Sequence, residues 1–207
     1  MSFFSSPVRK RSALQWLTLG GLSIAAGLLG ACSESKLQFH SIDITGADYA
    51  QDFSLTDHNG QLRSLKDFQG KVVIVFFGFT QCPDVCPTSM AELAEIKKLL
   101  GKDGDRLQGL FVTLDPERDT QEVLKAYMAN FDATFLALRP ELEKLPQLAK
   151  DFKIFYKKVD GKTPTSYTLE HSAGSYVFDQ QGRVRLYSRY GSGAAGLASD
   201  VKLLLKN

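Results

Sequence analysis

Residues 72–79, Val-Val-Ile-Val-Phe-Phe-Gly-Phe, are apolar without a break and rich in β-branched and aromatic side chains. A strand with one wet face alternates between polar and apolar. A run with no polar position is buried on both faces, and such strands sit inside sheets that are parallel at least in part and covered by helices. Leu110–Leu114 (LFVTL) has the same character. Between the two runs, Met90, Leu93, Ile96 and Leu100 recur at helical spacing over residues 87–100. Strand, helix and strand within about forty residues make a βαβ unit.

The flanking segments extend this pattern. Asp52–Thr56 and Gln61–Ser64 surround Asp57-His58-Asn59-Gly60, a hairpin turn signal. Residues 119–128 read as a helix, with Asp119 three before Glu122 in a capping-box-like start. A further helical stretch, 141–151, is interrupted or restarted at Pro146. Lys153–Val159 and Ser166–Glu170 are strands about a Gly/Pro loop. Gly174–Asp179 and Arg183–Tyr187 form a hairpin about Gln180-Gln181-Gly182, and Leu197, Val201, Leu204 and Leu205 mark a final amphipathic helix. The expected fold is α/β and thioredoxin-like. It has a central mixed sheet flanked by helices and an N-terminal hairpin extension, over residues 52–207.

Ahead of this domain, Arg9-Lys10-Arg11 precede an uncharged stretch from Ala13 to Leu29, the order of a secretory signal. Leu29-Gly30-Ala31-Cys32 resembles the lipobox of bacterial lipoproteins, which implies a signal peptide over 1–31 and lipidation of Cys32. Residues 32–51 then read as a linker. An uncleaved anchor is the alternative, the uncharged run being long enough for a thin span. Either way the domain is exported and tethered to a membrane. The net charge of +2 arises from the leader: without its three cations, 22 basic residues face 23 acidic ones. A body so balanced is no nucleic-acid binder.

Export into an oxidising compartment bears on Cys82 and Cys86, the two cysteines besides Cys32. Each precedes a proline, which disfavours helical backbone at the cysteine itself. Pro87 suits the first helical position, which puts Cys86 at the N-cap and Cys82 in the loop before it. A cysteine at a helix N-terminus is favoured as thiolate, the form that binds metals and exchanges disulfides. The residues alone leave three readings open: a metal site, a redox dithiol and a structural disulfide. Of the three histidines, His40 falls in the linker and His58 in a turn, both read as solvated. His171 follows the strand that ends at Glu170, a loop position before Ser172-Ala173-Gly174, and is the candidate third ligand. Two thiolates and an imidazole are a soft set, better suited to copper than to zinc, which at structural sites takes a fourth protein ligand.

Gly78-Phe79-Thr80-Gln81-Cys82-Pro83-Asp84-Val85-Cys86-Pro87-Thr88 resembles the signature of the Sco/SenC family, copper-handling assembly factors for cytochrome c oxidase. Thr113-Leu114-Asp115-Pro116-Glu117-Arg118-Asp119-Thr120 resembles that family's second motif, and Tyr167-Thr168-Leu169-Glu170-His171-Ser172-Ala173 its third. The similarity runs from about residue 52 to 206. It implies Cys82, Cys86 and His171 as ligands of Cu(I), Cu(II) or both, with Cys82 and Cys86 also able to act as a redox-active disulfide. It implies a periplasmic domain on a membrane anchor, whose partner is subunit II of the oxidase or another copper-accepting protein. Asp84, Asp115 and Glu170 are candidates for tuning the site from just outside it. Glu170 departs from the family's usual aspartate. The alternative function is a thiol–disulfide oxidoreductase that keeps partner cysteines reduced.

Overall fold

The computed structural model describes residues 1–2, 37–163 and 166–206. The chain divides into two units, Met1–Leu37 and Gln38–Asn207. The expected signal segment and Cys32 fall outside the described residues. Among the described residues no helix is long and apolar enough to cross a membrane.

The second unit contains strands β1 (Ile42–Asp43), β2 (Leu55–Asp57), β3 (Leu62–Arg63), β4 (Val72–Gly78), β5 (Leu107–Thr113), β6 (Leu136–Arg139), β7 (Tyr156–Asp160), β8 (Tyr167–His171), β9 (Ser175–Phe178) and β10 (Val184–Ser188). Its helices are α1 (Val85–Leu99), α2 (Gln121–Met128), α3 (Leu145–Asp151) and α4 (Ala194–Lys206). Among the described residues, eight strands form one sheet in the order β1-β10-β9-β4-β5-β6-β2-β3, and β7 and β8 form a separate ribbon. β4, β5 and β6 are parallel, and the strands outside them are antiparallel. This is the expected mixed sheet, with β4 at its centre.

β4 is buried along its whole length because both of its faces are covered. Val72, Ile74 and Phe76 join one core with α1, α2 and α4, whereas Val73, Val75 and Phe77 join the other with α3. The strand's period of two therefore divides one apolar run between two cores.

The two hairpins are closed by the same device. In the β2–β3 turn, the buried Asp57 carboxylate accepts from Asn59 N at 2.8 Å, Gln61 N at 3.0 Å and Arg63 Nε at 2.8 Å. In the β9–β10 turn, Asp179 accepts from Gln181 N at 3.0 Å, Arg183 N at 3.0 Å and Arg183 Nε at 2.9 Å. Gly60 takes φ +82° in the first turn, a left-handed conformation that favours glycine.

The expected N-terminal hairpin extends the main sheet at one edge, where β2 pairs with β6. Other expectations are corrected. The segment 38–51, read as part of the linker, is folded onto the domain. β1 pairs with β10, Ala50 is fully buried, and the Asp200 carboxylate accepts from the N–H groups of His40 and Ser41 at 2.8 Å each. Phe39, Ile44 and Tyr49 also pack against the cores, contacts that the segment's overall polar composition does not reveal. His58 is not simply solvated: its Nδ1 accepts from Ala137 N at 3.1 Å. α2 begins at Gln121 with Thr120 as its cap, its side chain accepting from Val123 N at 3.3 Å.

Candidate metal centre

β4 and β5 end side by side, with Gly78 paired to Thr113. The crevice beyond the carboxyl ends of parallel strands is where open α/β sheets place their sites. The chain leaves β4 through Phe79-Thr80-Gln81, turns at Cys82, whose N–H donates to Phe79 O at 3.2 Å, and enters α1. Asp119, fully buried, fastens this turn to the end of β5. It accepts from Thr80 N at 3.1 Å, Thr80 Oγ1 at 2.5 Å and Thr113 Oγ1 at 2.6 Å. Burial pushes its carboxyl above the usual range, against the pull of these donors.

Asp84, not Cys86, is the N-cap of α1, which puts Cys86 in the second helical position and Pro87 in the third. Proline is tolerated there because none of the first-turn N–H groups has a partner within the helix. One of those orphan donors has an unusual acceptor: Cys86 N donates to Cys82 Sγ at 3.4 Å. Both cysteines are free, Cys82 partly exposed and Cys86 buried. The helix start does not make Cys86 an easy thiolate. Burial pushes its thiol up, with the contact to Cys82 adding to that.

Space for the Cys86 sulfur comes from Gly78. A Cβ there would lie 2.8 Å from Cys86 Sγ and 2.9 Å from the Phe76 ring.

His171 is the last residue of β8 rather than a loop residue after the strand. Phe76 and Phe79 present their rings edge-on to the imidazole, at centroid distances of 6.2 and 5.8 Å. Nδ1 donates to Ser172 O at 2.8 Å. Burial lowers the imidazole pKa more than this bond raises it, which favours the neutral ring. With the proton held on Nδ1, the Nε2 lone pair is free, and it faces Cys86 Sγ at 3.5 Å.

Cys82, Cys86 and His171 thus bring Sγ, Sγ and Nε2 within 4.8 Å of one another. Among the described residues they are the one group of three His, Cys, Asp or Glu side chains able to hold a metal ion. A cation held by the partly exposed Cys82 and the buried Cys86 would displace the thiol protons and so offset the effect of burial on Cys86. The soft donors and aromatic surroundings suit a thiophilic ion, which these three residues would hold.

The residues expected to tune the site divide. The Asp84 side chain is exposed and accepts from Thr88 Oγ1 at 3.4 Å. Glu170 is exposed: β8 alternates, so Tyr167, Leu169 and His171 turn inward and Glu170 outward. The Ser172 carbonyl does the orienting that Glu170 was expected to do. Asp115 is buried and acts at one remove, pairing with Arg118 Nε and accepting from Tyr167 Oη at 2.8 Å. Gly78, Arg118, Asp119 and the two phenylalanines were not anticipated in these roles. Each lay inside or beside a motif quoted from the sequence, but only their neighbours across the fold reveal what they do.

The family model described as SCO1/SenC matches residues 43–206. The SCO2-like protein of Rickettsia felis is 37% identical over 133 residues, covering 64% of this chain and 65% of that protein. The chain thus matches just under two thirds of that relative's length. The copper-bound structure of ScoI from Bradyrhizobium japonicum superposes with a TM-score of 0.68 at 35% identity, covering 74% of this chain and 97% of that one. A SCO1/SenC family lipoprotein from Bacillus anthracis superposes with a TM-score of 0.61 at 27% identity, covering 74% and 92%.

Proposed function

This chain belongs to the SCO1/SenC family, and on that premise we propose that it is a membrane-tethered copper metallochaperone of the periplasm. It binds one copper ion through Cys82, Cys86 and His171 and delivers it to the dinuclear copper site on cytochrome c oxidase subunit II. The observation that carries the copper reading is the convergence of two sulfurs and an imidazole nitrogen within 4.8 Å. The Bradyrhizobium relative holds copper, which supports the choice of metal. The oxidase as recipient rests on the resemblance of the three motifs to those of Sco/SenC assembly factors. The lipid tether at Cys32 rests on Leu29-Gly30-Ala31-Cys32, together with the lipoprotein nature of the Bacillus anthracis relative.

Titration of the reduced protein with Cu(I) against a chromophoric chelator tests this. One equivalent should bind, and His171→Ala should weaken binding and alter the spectrum of the Cu(II) form. Unchanged affinity and spectrum in His171→Ala would sink the site.

A second reading draws on the asymmetry of the two thiols. Cys82 is partly exposed and Cys86 buried beside it, an order suited to thiol–disulfide exchange. The outer sulfur attacks a partner disulfide, one partner thiol leaves, and the inner sulfur then displaces the second. The domain dithiol loses two electrons and two protons, and the partner gains them. This activity needs both cysteines but not His171, so reduction of a disulfide peptide by metal-free His171→Ala separates it from copper delivery.

A further inference from the structure

The three donor atoms stand on two pieces of backbone. Cys82 and Cys86 are rooted in the main sheet through β4 and α1. His171 belongs to the β7–β8 ribbon, which shares no strand ladder with that sheet. The ribbon also borders a cavity of about 320 Å³, lined by Leu114, Leu145, Tyr156 and Tyr167 among others. Leu169 and Tyr156 pack on the core beside this cavity, and polar contacts add to them in setting the ribbon's position.

One guanidinium meets all the parts involved. Arg118 Nε pairs with the buried Asp115 carboxylate at the end of β5. Its Nη1 donates to Gln81 Oε1 at 3.0 Å, the side chain next to Cys82, and to Tyr167 O at 2.9 Å, the first residue of β8. The same guanidinium stacks 3.6 Å over the Tyr167 ring, whose hydroxyl donates to Asp115. Arg118 Nη2 is buried with no hydrogen-bond partner among the described residues. A buried unpaired donor is destabilising, a cost set against the guanidinium's other contacts.

We propose that Arg118 is a positioning residue for the metal site: it clasps the β7–β8 ribbon to the cysteine turn and so holds His171 in reach of the two sulfurs. Tyr167 and His171 share the inward face of β8, about 13 Å apart along the strand. The clasp therefore acts at the far end of a short lever, the other end being tied by three residues of chain to β9. The planar, forked guanidinium is needed because three acceptors and a ring are met at once, which a lysine ammonium cannot do.

This inference rests on the copper reading for one of its two measurements and not for the other. In the metal-free protein, Arg118→Gln should speed amide hydrogen exchange in β7 and β8 at least about tenfold, leaving β4 and α1 unchanged. In copper titrations, Arg118→Gln should weaken Cu(I) binding by about 10- to 100-fold, as loss of a ligand-orienting partner does. It should also diminish the imidazole nitrogen signature of the Cu(II) form. Arg118→Lys should not restore either, and in the His171→Ala background Arg118→Gln should have almost no further effect on affinity. If exchange in the ribbon stays at the wild-type rate, or if the affinity loss is equally large without His171, the clasp is overturned. Failure of the wild-type protein to bind copper would overturn the copper reading instead, with the exchange experiment still deciding the clasp. Should Arg118→Gln fail to fold, Tyr167→Phe, which removes only the hydroxyl bond to Asp115, is read in the same way with a smaller change.

Discussion

Gly78→Ala adds one methyl group at the most crowded point of the site. The new Cβ would meet Cys86 Sγ at 2.8 Å, a Phe76 ring carbon at 2.9 Å and a Phe111 ring carbon at 3.1 Å, where ordinary contact begins near 3.4 Å. None of the three is a flexible chain end. Phe76 and Phe111 are fully buried ring neighbours and Cys86 is fixed in the first turn of α1. Relief therefore has to come from moving the sulfur, or β4 itself, by several tenths of an ångström. Overpacking of this kind costs about 1–3 kcal/mol. With all three neighbours rigid we expect the upper half of that range, a fall in Tm of roughly 4–12 °C for a domain of this size. The sulfur that yields is a metal ligand, so Cu(I) affinity should fall as well, by about tenfold or more. Thermal unfolding of the reduced metal-free protein and chelator competition read the two effects separately. A Gly78→Ala protein with wild-type Tm and wild-type affinity would refute the assignment of Gly78 as the space for Cys86.

Two further outcomes follow from buried carboxylates. Asp119→Ala removes the acceptor shared by Thr80 and Thr113, and should cost about 1–3 kcal/mol by leaving buried donors unpaired; an unchanged urea midpoint would contradict this. Burial acts to raise the Asp179 carboxyl, but hydrogen bonds from Arg183 and Arg185 outweigh it and hold the carboxyl below the usual value of 3.8. The unfolded chain then takes up this proton first as pH falls. Its contribution is complete above about pH 5 and disappears as pH drops through the lower folded value. Tm measured across that window should decline less steeply in Asp179→Asn than in wild type, and equal slopes would count against the pairing.

Much of this molecule is legible in one dimension. β4 announces itself because a strand covered on both faces admits no polar residue, and α1, β5 and the β9–β10 hairpin follow from local periodicity and turn chemistry. The cysteine pair is visible because its members are four residues apart, and His171 because its motif follows in order. The rule for residues before proline points to Cys86 at the N-cap, yet the backbone runs helically through it, with its orphan N–H donating to the Cys82 sulfur. Glu170 is a candidate for tuning the site because it stands where the family motif has an aspartate, yet along the strand it lies on the face opposite His171.

The chain alone thus determined which side chains can bind a soft metal and on which elements they lie. Only the tertiary structure decided that the Ser172 carbonyl holds the proton on Nδ1, that Gly78 makes room for a sulfur, and that Arg118 spans the cysteine turn and the histidine ribbon. Those contacts link Gly78 to Cys86 across a turn and Gln81 to Arg118 to Tyr167 across many residues. Periodicity and local propensity carry no information about neighbours brought together by closing a sheet.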